Sequence, residues 1–150
     1  KGVPLEIIEG DSLNTDMAGR QTPAETPARV LLVDDEKEFV RTLSERLQIR
    51  GIKASVAFDG ASALDAILKE TPEVMVIDLK MPGIDGLELL RRVKARYEEI
   101  QVIVLTGHGS DQDREKCLAS GAFAYFQKPV DIDVLKDNLV TARASSKLMQ

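Results

Sequence analysis

Five short apolar runs, each followed by a stretch of helical character, leave this chain few folds to choose from. Four of them read RVLLV-DD (29–35), EVMVI-D (73–78), QVIVL-T (101–106) and FAYFQ-K (123–128), and each delivers a polar residue at its carboxyl end. KASVAF (53–58) supplies the remaining run. Runs so short and so apolar suggest strands buried on both faces of a parallel sheet. Between them, Phe39, Val40, Leu43 and Leu47 mark a helix over about 37–50, and Ala61, Leu64, Ile67 and Leu68 one over about 61–70. Leu87, Leu90 and Val93 mark a third, a fourth is expected over about 111–120, and Ile132, Leu135 and Leu139 lie on the last. Gly51 and Gly121 read as helix stops, and Thr71-Pro72 ends the second helix because proline disfavours helical backbone in the residue before it.

Such alternation predicts an α/β fold: a doubly wound five-stranded parallel sheet of order 2-1-3-4-5, flavodoxin-like, with helices on both faces. In that order the first and third strands are neighbours, and the ligand crevice lies outside the carboxyl ends of the strands. One geometric fact therefore gathers Asp34, Asp35, Asp78, Thr106 and Lys128 into one pocket. With 150 residues, 43% of them hydrophobic, one well-buried core is the expectation. The domain is drawn over 29–142. Residues 1–28, rich in small polar residues and proline after a few apolar ones, are expected to be a flexible arm, a linker or residues of foreign origin; 143–150 are expected to be a tail or linker.

Two like charges about 4 Å apart repel by roughly 4 kcal/mol at an effective dielectric near 20. Three carboxylates at one point need a cation to stay ionised together, and all-oxygen ligation points to a hard one such as Mg²⁺. Helix capping would account for one of the acids at 34–35, hardly for a second beside it and a third after another strand. Asp78 is the candidate nucleophile, forming an aspartyl phosphate, with Lys128 as a point charge and Thr106 as a hydroxyl donor toward phosphoryl oxygens. Thr106 alone reads as an ordinary strand end and Lys128 alone as a solvated charge. Their joint placement carries the reading.

DD at 34–35, DLKMPGIDG at 78–86, TGH at 106–108 and KP at 128–129 resemble the receiver domain of two-component response regulators, over about residues 29–142. The resemblance implies that Asp78 takes a phosphoryl group from a phosphohistidine on a sensor histidine kinase or phosphotransfer protein. It implies Mg²⁺ held by Asp35 and Asp78 directly, by Asp34 through water, and by the backbone carbonyl of Lys80. Thr106 and Tyr125 match the family's switch pair, and the Lys128-Pro129 bond its cis peptide. Lys80 and His108 fall where the family places modulators of phosphoryl loss. The output is expected on the fourth helix, fifth strand and fifth helix, toward an effector or a phosphorylation-dependent second copy, although Val130 departs from the phenylalanine usual in one dimeric branch.

Two other readings stand beside this one. An aspartyl-phosphate hydrolase of haloacid-dehalogenase type would need an acid where Lys80 stands. A receiver module within a hybrid histidine kinase would use the same residues. A nucleotide-binding module is disfavoured, because DDEKEF carries acids where a phosphate loop needs glycines. A net charge of −5, no tryptophan and 4% aromatics argue against nucleic-acid binding. No run approaches a membrane span, and one cysteine suits a reducing cytoplasm. Cys117, Met75 and Met81 read as core filler rather than ligands.

Overall fold

The computed structural model describes residues 7–8 and 29–148. Five parallel strands form the main sheet: β1 (Val30–Val33), β2 (Ala54–Ala57), β3 (Val74–Ile77), β4 (Gln101–Thr106) and β5 (Ala124–Gln127), in the order β2-β1-β3-β4-β5. The helices α1 (Lys37–Ile49), α2 (Gly60–Lys69), α3 (Gly86–Arg96), α4 (Asp111–Ala119) and α5 (Ile132–Leu148) alternate with them. The predicted order 2-1-3-4-5 is the order found.

Strand periodicity sorts the core into two halves. Leu32 and Val76 face a layer built with Phe39, Val40, Leu43 and Leu47 of α1 and Leu135 and Leu139 of α5. Their neighbours Leu31, Val33, Met75 and Ile77 face Ile67 of α2, Leu89, Leu90 and Val93 of α3, and Cys117 of α4. Each fully buried leucine or isoleucine contributes roughly 1.5–3 kcal/mol, so runs apolar at every position are what a sheet covered twice requires. Helix α4 is the exception. Its sole buried residue is Cys117, and what defines it is a capping box in which Ser110 and Asp113 satisfy each other's backbone N–H.

The helix ends follow local chemistry. Asp59 caps α2 by accepting from Ser62 N at 2.7 Å, and Asp85 caps α3 by accepting from Glu88 N at 2.9 Å. Gly51, at φ 85°, ends α1 in the left-handed region, as expected of it. Gly86, the first residue of α3, is set by space rather than by turn freedom. A Cβ there would lie 2.2 Å from the carbonyl oxygen of Asp78, so the position is reserved for close backbone approach.

Two findings bear on the stretches outside the domain as drawn. Ile7–Ile8 pair in parallel with Val130–Asp131, and the rest of the expected N-terminal arm lies outside the described residues. Helix α5 runs through 143–148, where a tail was expected, and Arg143 Nε meets Glu73 Oε1 at 3.1 Å. That contact, like Arg29 Nε donating to the Thr71 carbonyl at 2.9 Å, lies at the amino ends of the strands. Among the described residues no helix is long and apolar enough to cross a membrane.

Candidate functional site

Register places the chemistry. Val33 pairs with Ile77, so the residues after them, Asp34 and Asp78, sit side by side just beyond the ends of β1 and β3. Thr106 pairs with Gln127, which sets Lys128 one step further, its N–H donating to the Thr106 carbonyl at 2.9 Å. The Lys128-Pro129 bond is cis. All five residues expected in the pocket therefore reach the same rim of the sheet.

Asp34 and Asp78 are each only 4% exposed and Thr106 is fully buried, whereas Asp35 is open to solvent. One carboxylate oxygen from each of Asp34, Asp35 and Asp78 can lie within 4.8 Å of the others. Desolvation pushes the Asp78 carboxyl up, against a hydrogen bond from Thr106 and the charge of Lys128. Its Oδ1 is buried without a hydrogen-bond partner. An orphaned carboxylate oxygen among three acids is a fit for a hard divalent cation, which would replace the lost hydration and offset the repulsion. No histidine or thiol joins the group, so the donor set favours Mg²⁺ over softer metals.

Neither acid at 34–35 caps α1. The cap position is Glu36, whose side chain makes no cap bond, while Asp34 Oδ1 accepts the Glu36 N–H at 2.9 Å. Lys128 Nζ stands 3.0 Å from Asp34 Oδ2 and 2.6 Å from Glu36 Oε1, over the Phe39 ring at 4.0 Å from its centroid. Its side chain is 4% exposed. Burial alone would lower its pKa, but the bonds to Glu36 and Asp34 overcome this and raise it. Sequence reasoning missed Glu36, which stood only as one of the acids of DDEKEF.

Tyr125 lies partly buried with its hydroxyl enclosed. A Cβ on Gly109 would fall 1.5 Å from that hydroxyl and 3.0 Å from Thr106 Cγ2, so the ring tip occupies space that only glycine leaves open. Gln127 Nε2 fixes the same loop by donating to the Gly109 carbonyl at 2.6 Å. Gly109 was also missed, for its role depends on where Tyr125 points. His108 has an exposed side chain, and its backbone N–H donates to Thr106 Oγ1 at 3.3 Å. The exposed Lys80 lines a groove of about 480 Å³ with Met81, Pro82, Asp85 and Asp113, and its charge acts on Asp113.

Burial gives the pocket a pH signature that chelator would expose. Burial raises the Asp34 carboxyl from 3.8 to about 6, with the Glu36 N–H opposing and Asp78 adding to the rise. Between those values the folded chain keeps a proton that the unfolded chain has lost, so acidification favours folding. In chelator, stability is expected to climb as pH falls from neutrality through 6 and to level off near 3.8. The contribution is about 3 kcal/mol at most. Urea midpoints across that range measure it, and Asp34→Asn should flatten the slope. An equal slope in both proteins would assign the effect to another group.

Comparison with known proteins bears on this pocket. Residues 30–140 match the sequence family described as response regulator receiver domain. The chain is 37% identical over 109 residues to sporulation initiation phosphotransferase F of Bacillus subtilis, spanning 73% of this chain and 88% of that protein. It is 36% identical over 104 residues to the DNA-binding transcriptional regulator NtrC of Escherichia coli, where the match spans 69% of this chain and only 22% of the relative. Among solved structures, a response regulator receiver domain protein from Clostridium thermocellum superposes with a TM-score of 0.77 at 30% identity, covering 82% of this chain and 99% of that one.

Proposed function

This chain belongs to the response regulator receiver domain family, a phosphoacceptor in two-component signalling rather than an enzyme of the ordinary kind, and on that footing we propose that Asp78 carries the phosphoryl group. The observation that supports Asp78 most is its buried, unpartnered Oδ1 at the end of the central strand, beside two further acids and Thr106.

In this reading an Asp78 carboxylate oxygen attacks the phosphorus of a phosphohistidine on a sensor kinase or phosphotransfer protein. The O–P bond forms as the P–N bond breaks, and the departing imidazole takes up a proton. Asp34, Asp35, Asp78 and the backbone carbonyl of Lys80 would hold Mg²⁺, which when bound neutralises charge on the phosphoryl oxygens. Thr106 turns its hydroxyl from the carboxylate to a phosphoryl oxygen, and Lys128 supplies a positive charge to another. Thr106 drawn to the phosphoryl group would hold Tyr125 in the setting against Gly109 that it already has, and the surface of α4, β5 and α5 takes the form that an effector or a second copy meets. Residues 29–142 make up the working unit, and its natural setting is the cytoplasm, which suits a lone thiol.

Acetyl phosphate with Mg²⁺ is expected to add one phosphoryl mass to the peptide containing residue 78, and chelation to prevent it. No adduct on a folded protein would end this reading. The same adduct tests Lys80, whose ammonium reaches over the phosphoryl group and slows its hydrolysis. Lys80→Asn is expected to shorten the phosphoryl lifetime several-fold, followed by mass spectrometry after donor removal. An unchanged or longer lifetime would remove Lys80 from the mechanism.

A further inference from the structure

Lys128 is not paired with the acid it is expected to serve. Among the described residues its ion pairs run to Asp34 at 3.0 Å and Glu36 at 2.6 Å, none joins it to Asp78, and Asp78 Oδ1 is left without a partner. Of its two counter-ions, Glu36 makes the shorter contact and is the more exposed, at 51% against 5% for the Asp34 side chain. The Glu36 backbone is fixed from two sides. Its N–H is held by Asp34 Oδ1 at 2.9 Å, and its carbonyl accepts the first hydrogen bond of α1, from the Val40 N–H, at 3.0 Å. Its side chain is thus aimed from a rigid base onto Lys128, yet stays half exposed. We infer that Glu36 is a positioning residue whose carboxylate holds the Lys128 ammonium away from Asp78 until a phosphoryl group competes for it.

The inference rests on Asp78 being the phosphoacceptor and deepens that reading. When phosphoryl oxygens appear on Asp78, Lys128 has to exchange one of its partners for them. Asp34 is buried, and an unpaired charge there is costly. Glu36 is half exposed, and water takes over its carboxylate at little cost. Glu36 is therefore the partner that lets go, and the strength of its hold sets how readily the pocket accepts the group. The negative charge it adds also acts on Asp78 directly, in the direction that disfavours ionisation. The two effects are separable, because only one of them passes through Lys128.

The test is beryllofluoride affinity at saturating Mg²⁺, read by NMR or fluorescence. Glu36→Gln keeps the shape and removes the charge, and is expected to tighten binding about three- to fivefold, the size of effect that a half-exposed ion pair supports. Glu36→Asp keeps the charge and is expected to stay within about twofold of the parent. In a Lys128→Met background, Glu36→Gln is expected to bring a clearly smaller gain, the part that comes from its direct field on Asp78. A gain of equal size in that background would mean that Glu36 acts by its field alone, and no gain or a loss in the parent would mean that it does not compete; either overturns the inference. Absence of beryllofluoride binding by the parent protein is a different failure. It removes the phosphoacceptor reading itself.

Discussion

Asp78→Asn is expected to take up no phosphoryl group from acetyl phosphate while folding as well as the parent or better. Asparagine keeps the size of the side chain and an oxygen for the Thr106 hydroxyl, so packing at the end of β3 is retained. What it lacks is the carboxylate nucleophile. Asp34 cannot substitute, since its oxygens are occupied by Lys128 and the Glu36 N–H, and Asp35 is exposed to solvent. Stability should move the other way from function. Desolvation raises the Asp78 carboxyl, meaning that the ionised form is disfavoured in the folded state at neutral pH, and the neutral amide removes that cost. Thermal midpoints in chelator should therefore rise in the variant, and the further rise that Mg²⁺ gives the parent should largely vanish. Persistence of the phosphoryl adduct in Asp78→Asn would place the chemistry elsewhere.

Gly86→Ala is expected to damage both fold and function from a residue that touches no phosphate. Its Cβ would lie 2.2 Å from the Asp78 carbonyl oxygen and 2.7 Å from the Leu79 Cα, and both obstacles are backbone. No rotamer change relieves such a clash, so α3 or the end of β3 has to shift. The bond from Gly86 N to the Leu79 carbonyl, 2.9 Å, ties the same two segments together and would be stretched. A cost of about 2–3 kcal/mol is in line with forcing extra volume into a packed site. Phosphorylation should slow about tenfold or more, because small displacements of a reacting group are costly in rate. Gly107→Ala is the comparison, as its Cβ would meet nothing nearer than 3.7 Å. Equal denaturation midpoints and equal rates in the two variants would show that the approach at Gly86 is relaxed without consequence.

Much of the fold was legible because its sequence signals are local. Val74–Ile77 is apolar at every position, which a strand covered on both faces requires, and Gly51 marks a helix end that the left-handed backbone confirms. The pocket was legible for a related reason. Once the strands are parallel and ordered, the residues that follow them share a rim regardless of how far apart they lie in the chain. What could not be read is what depends on the direction of a side chain or the approach of two backbones. The Lys128–Glu36 contact joins residues 92 apart, through a long flexible side chain whose alternatives differ only by geometry. Gly109 and Gly86 look like ordinary loop glycines until Tyr125 and Asp78 are seen against them. Helix α4 had almost no apolar pattern, and its better signal was Ser110 three residues before Asp113, a reciprocal cap that the sequence reading passed over.

The contacts of Arg29 and Arg143 at the amino ends of the strands have a consequence for how such a unit is reused. Among the described residues the acidic cluster, Thr106 and Lys128 lie at the carboxyl ends of the strands, while Arg29 and Arg143 fasten the amino ends. Lengthening, trimming or exchanging sequence around those amino ends should leave the acidic cluster undisturbed. Substitutions at the rim itself are coupled to one another through Lys128. The molecule thus separates a hemisphere free to diversify from one in which change has to be concerted.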